Sequence, residues 1–310
     1  MLISVVVPFY NEADILEEAV SRIRSAISST DADFELLLVD NRSDDGSFEL
    51  AKQMCQRDSR LTLIRLSRNF GPMTEPSILA GLQNSVGDAV VIVYSDMQDP
   101  PEYIPEMYSK ICEGFDVAYG VRKSRSGDTL VFRLFSALFY KVLARLSDSP
   151  THGNSGDFIM MSRRVVDHLL SLDEVGRFTR ALVPWIGFES AVVMYDRAAR
   201  KTGKSKTRPL SALSTALLGI TSFSQAPLRI LLLFGFVTAA LSVGALALQF
   251  FLWATGSPVP GLTTLIALAL LNLGVVTFAI SVVGEYVGRV MTEVKRRPLF
   301  IIDSKINFPA

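Results

Sequence analysis

From Ile230 to Gly284 the chain carries no Asp, Glu, Lys, Arg or His. No other feature restricts the fold as much. A helix crossing the hydrocarbon core of a bilayer needs about 20 apolar residues. Two segments of that length lie here, Ile230–Trp253 and Leu262–Gly284, joined by the turn-forming stretch Ala254–Gly261. A soluble hairpin would have to hide both uncharged helices in one core, so two membrane spans are the expectation.

The flanking charges orient those spans. Arg229 precedes the first; Arg289, Lys295, Arg296 and Arg297 follow the second; the connecting turn has none. Basic residues stay on the cytoplasmic side, so both termini are expected there. The N-terminal MLISVVVPFY lacks a basic lead and a small-residue cleavage site, and reads as a strand, not a signal peptide. Elsewhere the charges balance, 31 basic against 31 acidic in 310 residues, so no nucleic-acid partner is expected through bulk charge. The two cysteines, Cys55 and Cys112, have no metal-ligand spacing and read as packing residues in a reducing compartment. His152 and His168 are too scattered for a zinc site.

Residues 1–209 alternate in type. Apolar runs of strand length occur at Ile3–Tyr10, Phe34–Asn41, Leu61–Ser67, Ala89–Ser95 and Asp116–Arg122. Between them lie helical patterns, as where Ile15, Ala19, Ile23 and Ile27 recur every four residues. Further helices are expected over Ser47–Asp58 and Ser77–Ser85. This alternation predicts an α/β fold with a mostly parallel sheet and helices on both faces.

In such sheets ligands bind beyond the carboxyl ends of the strands. Those ends carry Pro8, Tyr10, Asn11 and Glu12; Asp40 to Gly46; Ser67 to Gly71; and Asp96, Gln98 and Asp99. Asp96 and Gln98, two apart in a segment stiffened by Pro100 and Pro101, can point hard oxygens at one Mg2+ or Mn2+. Such an ion takes its other ligands from water and substrate phosphates. A plain turn capping the next helix explains the same residues. Asp40 can accept a hydrogen bond from a nucleobase or ribose.

VVVPFYNEADIL, LLVDNRSDDGS, LSRNFG, SDMQDPPE, YGVRKSRSGD, SGDFIMMSRRV and GITSFSQAPLRI, in this order, resemble the polyisoprenyl-phosphate glycosyltransferases of glycosyltransferase family 2. That group includes dolichyl-phosphate mannose synthase and the bacterial undecaprenyl-phosphate glucosyltransferases. The resemblance implies a GT-A catalytic domain, a nucleotide-sugar donor (UDP-sugar favoured), Mg2+ or Mn2+, and a polyprenyl-phosphate acceptor such as undecaprenyl phosphate. It places the chain in a bacterial plasma membrane, with a product serving cell-envelope glycan modification. By position, Pro8, Tyr10, Glu12 and Asp40 match nucleoside contacts, and Asp96 and Gln98 match metal ligands. Arg122 matches an arginine near the phosphates, and Asp157 an acidic residue on the acceptor side. Arg200, Lys204 and Lys206 match a basic stretch near the lipid phosphate.

Two departures stand out. Relatives read Asp-Asp-Gly-Ser where this chain has Asp40-Asn41-Arg42-Ser43, and they begin the metal motif with Asp where this chain has Tyr94. A lipid phosphate monoester, with a second pKa of about 6, is largely a dianion at neutral pH. Asp157 is therefore expected to orient a sugar hydroxyl or one of Arg200, Lys204 and Lys206, not to abstract a proton. The expected organisation is a GT-A domain over 1–209, an interfacial amphipathic segment over 210–229, a two-helix hairpin over 230–286 and a tail over 287–310. Pro298–Asp303 is apolar enough to pair as a strand with a neighbouring copy. The rivals are a processive polysaccharide synthase, for which two spans are too few, a GDP-mannose-using mannose synthase, and a non-catalytic nucleotide-sugar-binding scaffold.

Overall fold

The computed structural model describes residues 1–71, 74–123, 155–174, 177–196, 226–256 and 261–307. The chain divides into two compact units, Met1–Ala212 with Arg297–Ala310, and Leu213–Arg296.

In the first unit the described strands are β1 (Leu2–Phe9), β2 (Asp33–Asp40), β3 (Leu61–Leu66), β4 (Ala89–Ile92), β5 (Val117–Arg122), β6 (Ser155–Ser162), β7 (Ser190–Tyr195) and β8 (Ile302–Ile306). They form one sheet in the order β7-β5-β6-β4-β1-β2-β3-β8. β1 pairs in parallel with β2 and β4, β2 with β3, and β5 with β7. β6 and β8 run against their neighbours. The sheet is mostly parallel, as expected, with two antiparallel additions.

The central strands are buried on both faces, which is why they read as unbroken apolar runs with no alternation. Ile3, Val5 and Val7 face one core with Leu16, Val20 and Ile23 of α1 (Leu16–Ile27) and Ala51 and Met54 of α2 (Ser47–Arg57). Burial of each such aliphatic chain contributes roughly 1.5–3 kcal/mol. Val6 faces the opposite way, against α3 (Glu75–Asn84). A Cβ built on Gly81 would lie 2.2 Å from Val6 Cγ1, so only glycine lets that helix approach β1 so closely. The remaining α-helices among the described residues of this unit are α4 (Ile104–Cys112), α5 (Arg163–Ser171) and α6 (Thr179–Ile186).

Several boundaries differ from the sequence pattern. α3 begins at Glu75, not Ser77, because Pro76 sits in its first turn, where no backbone donor is needed. β4 ends at Ile92; the Val93 N–H still reaches Val6 O at 3.0 Å, and the chain then turns into a loop. Cys55 is buried but Cys112 is exposed on α4, so only the first packs. His168 is exposed, its ring 5.4 Å from that of Phe188.

The tail also corrects an expectation. Its strand is taken up by the chain's own sheet: β8 pairs antiparallel with β3. Arg42 Nη1 donates to Asp303 Oδ2 at 2.8 Å and Asn307 Nδ2 to Leu61 O at 3.2 Å. β3 offered an unpaired edge, and the nearest complementary strand was in the same chain.

The second unit contains α7 (Ala226–Ala254) and α8 (Leu262–Lys295). Both are long and apolar enough to cross a membrane. α8 continues past residue 286 to Lys295, so part of the expected tail is helix. Phe236, Leu241 and Trp253 of α7 and Leu273, Phe278 and Ile280 of α8 stand exposed. The expected interfacial segment over 210–229 lies outside the described residues except for its last four.

Candidate active site

β1 to β5 point their carboxyl ends at one edge of the sheet, and β6, running the other way, brings its start to the same edge. Val91 lies opposite Met160 in the antiparallel β4–β6 ladder, so three residues on Tyr94 meets Asp157. The edge thus gathers Tyr10, Glu12, Asp40, Asp96, Gln98, Arg122 and Asp157 from separate parts of the sequence.

The loops after β1 and β2 are latched together. The Asn11 N–H donates to Ser43 Oγ (3.0 Å) and the Glu12 N–H to Ser47 Oγ (2.9 Å). Asn11 Nδ2 donates to Asp44 Oδ1 at 2.7 Å, and the Asp44 N–H returns a bond to Asn11 Oδ1 at 3.0 Å. Asn11 (φ 54°) and Arg42 (φ 67°) take left-handed backbone, which Asn tolerates better than most residues. Pro8 is buried in β1, and Tyr10 and Glu12 are half-buried.

Asp40 is fully buried at the end of β2. Its Oδ1 accepts the Ser43 N–H at 2.8 Å, and its Oδ2 lies 3.3 Å from Arg65 Nε. That second contact is a charge contact, since neither atom has a hydrogen-bond partner of good geometry. Burial raises the Asp40 pKa, against the pull of Ser43 and Arg65. Asn41, the first departure from the relatives' pattern, ties β2 to the loop after β3. Its Oδ1 accepts the Phe70 N–H (3.1 Å), and its Nδ2 donates to Asn69 Oδ1 (3.3 Å) and Gly71 O (3.4 Å). An amide offers both a donor and an acceptor; a carboxylate has only acceptors.

In the loop after β4, burial alternates. Ser95, Met97 and Asp99 are inside, while Tyr94, Asp96 and Gln98 are partly exposed. Met97 takes φ 60°, and its sulfur lies 3.8 Å from Arg22 Nη1. Turning Met97 inward leaves Asp96 and Gln98 on the open side, with the Gln98 N–H 3.2 Å from Asp96 Oδ1. A carboxylate and an amide oxygen are hard donors suited to Mg2+ or Mn2+. Among the described residues no three of His, Cys, Asp and Glu converge as a metal cage. A cation held by this pair would therefore draw on water and phosphate, as Mg2+ usually does.

Behind the loop, Asp99 is buried and accepts the Tyr195 hydroxyl. Arg122 completes the triangle, with Nε 3.1 Å from Tyr195 Oη and Nη2 3.5 Å from Asp99 Oδ1. Burial, and then the Asp99 charge, push the Tyr195 phenol well up, so it stays a neutral donor.

Asp157 has its own holders. Arg180 grips it twice, Nε to Oδ1 at 2.9 Å and Nη2 to Oδ2 at 2.7 Å. The Tyr94 hydroxyl, itself 2.8 Å from Thr74 Oγ1, donates to Oδ2 at 2.9 Å. Burial and the Asp157 charge raise the Tyr94 pKa well above the usual phenol value. Tyr94 thus places a neutral donor against the Asp157 carboxylate.

Sequence reasoning missed Arg180, the Asp99–Tyr195 contact and the role of Tyr94. Arg180 carried one usable signal: no acidic residue lies within four positions of it, so any ionic partner had to be remote. Arg200, Lys204 and Lys206 lie outside the described residues.

Residues 4–170 match the family described as Glycosyl transferase family 2. The chain is 36% identical over 300 residues to an uncharacterized glycosyltransferase, YkcC, of Bacillus subtilis (strain 168), covering 96% of this chain and 92% of that one. It is 35% identical over 304 residues to the SfII prophage-derived bactoprenol glucosyl transferase of Shigella flexneri, covering 97% of both. It is 34% identical over 307 residues to the bactoprenol glucosyl transferase of Shigella phage SfV, covering 98% and 99%.

Proposed function

The chain belongs to glycosyltransferase family 2, and on that footing we propose that it transfers a sugar, with inversion, from a nucleotide sugar to a polyprenyl phosphate such as undecaprenyl phosphate. The observation that carries this is the match, end to end, to proteins named bactoprenol glucosyl transferase. The gathering of a hard-donor pair, two held arginines and Asp157 on one sheet edge agrees with it. α7 and α8 supply the hydrophobic length such a lipid-using enzyme needs. A bacterial plasma membrane, with the catalytic unit and both termini on the cytoplasmic side, fits the basic flanks of the two helices.

The chemistry needs little from a base. An oxygen of the lipid phosphate, already mostly dianionic above its pKa of about 6, attacks the anomeric carbon. The bond from that carbon to the nucleoside diphosphate breaks, and its electron pair leaves with the diphosphate. An α-linked donor then yields a β-linked lipid phosphate sugar, and no proton moves. Mg2+ or Mn2+, when bound, supplies positive charge to the departing diphosphate. Asp96 and Gln98 are the residues that would hold it.

Pro8, Tyr10, Glu12 and Asp40 are the proposed nucleoside contacts, Asp40 acting through the buried end of β2. Arg122 faces the phosphates, held in place by Asp99 and Tyr195. Arg200, Lys204 and Lys206 are the proposed lipid-phosphate contacts. UDP is the favoured nucleotide.

A donor screen tests the proposal. Purified protein in lipid, Mn2+ or Mg2+, undecaprenyl phosphate and each common UDP- or GDP-sugar are combined, and sugar in the lipid phase is measured. One donor should label the lipid in a cation-dependent way. No lipid label with any donor sinks the proposal.

A further inference from the structure

Arg180, in the first turn of α6, belongs to none of the motifs that marked the site in the sequence. Its guanidinium is paired to Asp157 along the Nε and Nη2 side, at 2.9 and 2.7 Å. The Tyr94 hydroxyl adds a third donor to that carboxylate at 2.9 Å, and Thr74 holds the Tyr94 oxygen at 2.8 Å. Three donors on two oxygens fix the plane of the carboxylate, and a bidentate pair shares its plane with the guanidinium. Arg180 is thereby fixed too, with Nη1 on the side away from Asp157.

A second guanidinium stands near. Arg122, anchored by Asp99 and Tyr195 at the end of β5, lies beside the start of β6, where Val121 pairs with Ser155 two residues before Asp157. Both side chains remain partly open, 25% for Arg122 and 30% for Arg180. Each is paired with its own carboxylate, and both pairs sit at the same edge of the sheet, around the start of β6. An oxyanion lying between the two guanidinia would take charge-assisted bonds from both. A structural staple would need only one such pair.

We propose that Arg180 binds a substrate phosphate together with Arg122, and that Asp157 and Tyr94 are positioning residues that aim it. The proposal rests on the transfer reaction above, whose substrates offer two sources of the same oxyanion: the diphosphate of the donor and the monophosphate of the lipid.

Full-length protein reconstituted in lipid decides it, with the wild type and the variants Arg180→Gln, Arg180→Lys and Tyr94→Phe. KM for undecaprenyl phosphate, KM for the nucleotide sugar, kcat and thermal melting are measured together. Arg180→Gln should raise one KM by about tenfold or more, the loss expected for a hydrogen bond to a charged group. Arg180→Lys should recover part of it, because charge is kept while the fork is lost. Tyr94→Phe should raise the same KM by about threefold, since one neutral hydrogen bond is removed. A rise confined to the lipid identifies its monophosphate as the ligand; a rise confined to the nucleotide sugar identifies the diphosphate. Unchanged KM values with a lowered melting temperature would make Arg180 a staple between α6 and β6 and overturn the proposal. If Arg180→Gln does not fold, Tyr94→Phe decides: a KM that stays at the wild-type value overturns it. A wild type that transfers no sugar sinks the reaction itself, which separates that failure from this one.

Discussion

The carboxylate of Glu75, the first residue of α3, accepts both the backbone N–H and the hydroxyl of Thr179, the first residue of α6, each at 2.8 Å across 104 positions. Burial pushes its pKa up to about 7 from 4.5, with the Thr179 bonds opposing and nearby Asp157 adding to the rise. A raised carboxyl pKa favours the protonated folded state. This residue therefore costs nothing below pH 4.5 and costs progressively more as pH rises to about 7. One pKa unit corresponds to about 1.4 kcal/mol, so the cost above that range is on the order of 3 kcal/mol. Glu75→Gln removes the titration. Its melting temperature, measured against the wild type, should shift in favour of the variant between pH 5 and pH 8. Curves that stay parallel over that range would show that Glu75 does not titrate there.

Asn41→Asp tests the tie that this amide makes between β2 and the loop after β3. The new carboxylate would face Asn69 Oδ1 and Gly71 O without a donor for either. Leaving buried polar groups unmatched costs about 1–3 kcal/mol. The variant should melt several degrees lower and bind nucleotide sugar more weakly, since the loop after β3 loses its tie to β2. A wild-type melting temperature would show that the amide donor is not needed.

Asp96→Asn keeps the size of the side chain and removes its charge. Transfer should fall by about a hundredfold or more, as when a main electrostatic contributor is removed from a site. The cation concentration for half-maximal rate should rise. Near-normal turnover at every cation concentration would show that Asp96 is not a ligand.

β1 to β5 and the hard-donor pair were legible because each is a local pattern, whereas β6 and β7 were not read from the sequence. Val5–Val7 and Leu36–Val39 are unbroken apolar runs, and Asp96 and Gln98 are two residues apart. What escaped was pairing at long range: Tyr94 with Asp157 across 63 positions, Tyr195 with Asp99 across 96. Hydrophobic periodicity also carries no strand direction, so the antiparallel settings of β6 and β8 were invisible to it. Asp157 was expected to orient a sugar hydroxyl or a cation from the Arg200–Lys206 stretch. In the folded protein it holds Arg180, which only the closure of β6 against α6 reveals.

That contact sharpens the prediction for Asp157→Asn. The carboxylate of Asp157 is committed to Arg180 and Tyr94, so the loss should come from misplacement of Arg180. Small displacements in a pre-aligned site cost up to about a hundredfold in rate. The acid limb of the pH–rate profile, set by the lipid phosphate near a pKa of about 6, should survive in the variant. A profile that turns flat between pH 5 and pH 7, the span around that pKa, would restore Asp157 as a general base.

β8 lies beside β3 in the sheet, yet α7 and α8 separate the two in the chain. During synthesis β1 to β7 leave the ribosome first, then both apolar helices, and only afterwards the strand that closes the edge. The outer edge of β3 therefore stands open until the tail has been made, as a template onto which another nascent strand can add. Completion of the catalytic sheet in this way waits until both apolar helices have been made. A chain cut short after Arg297 would keep Asp96, Arg122, Asp157 and Arg180, and would still emerge with that edge bare.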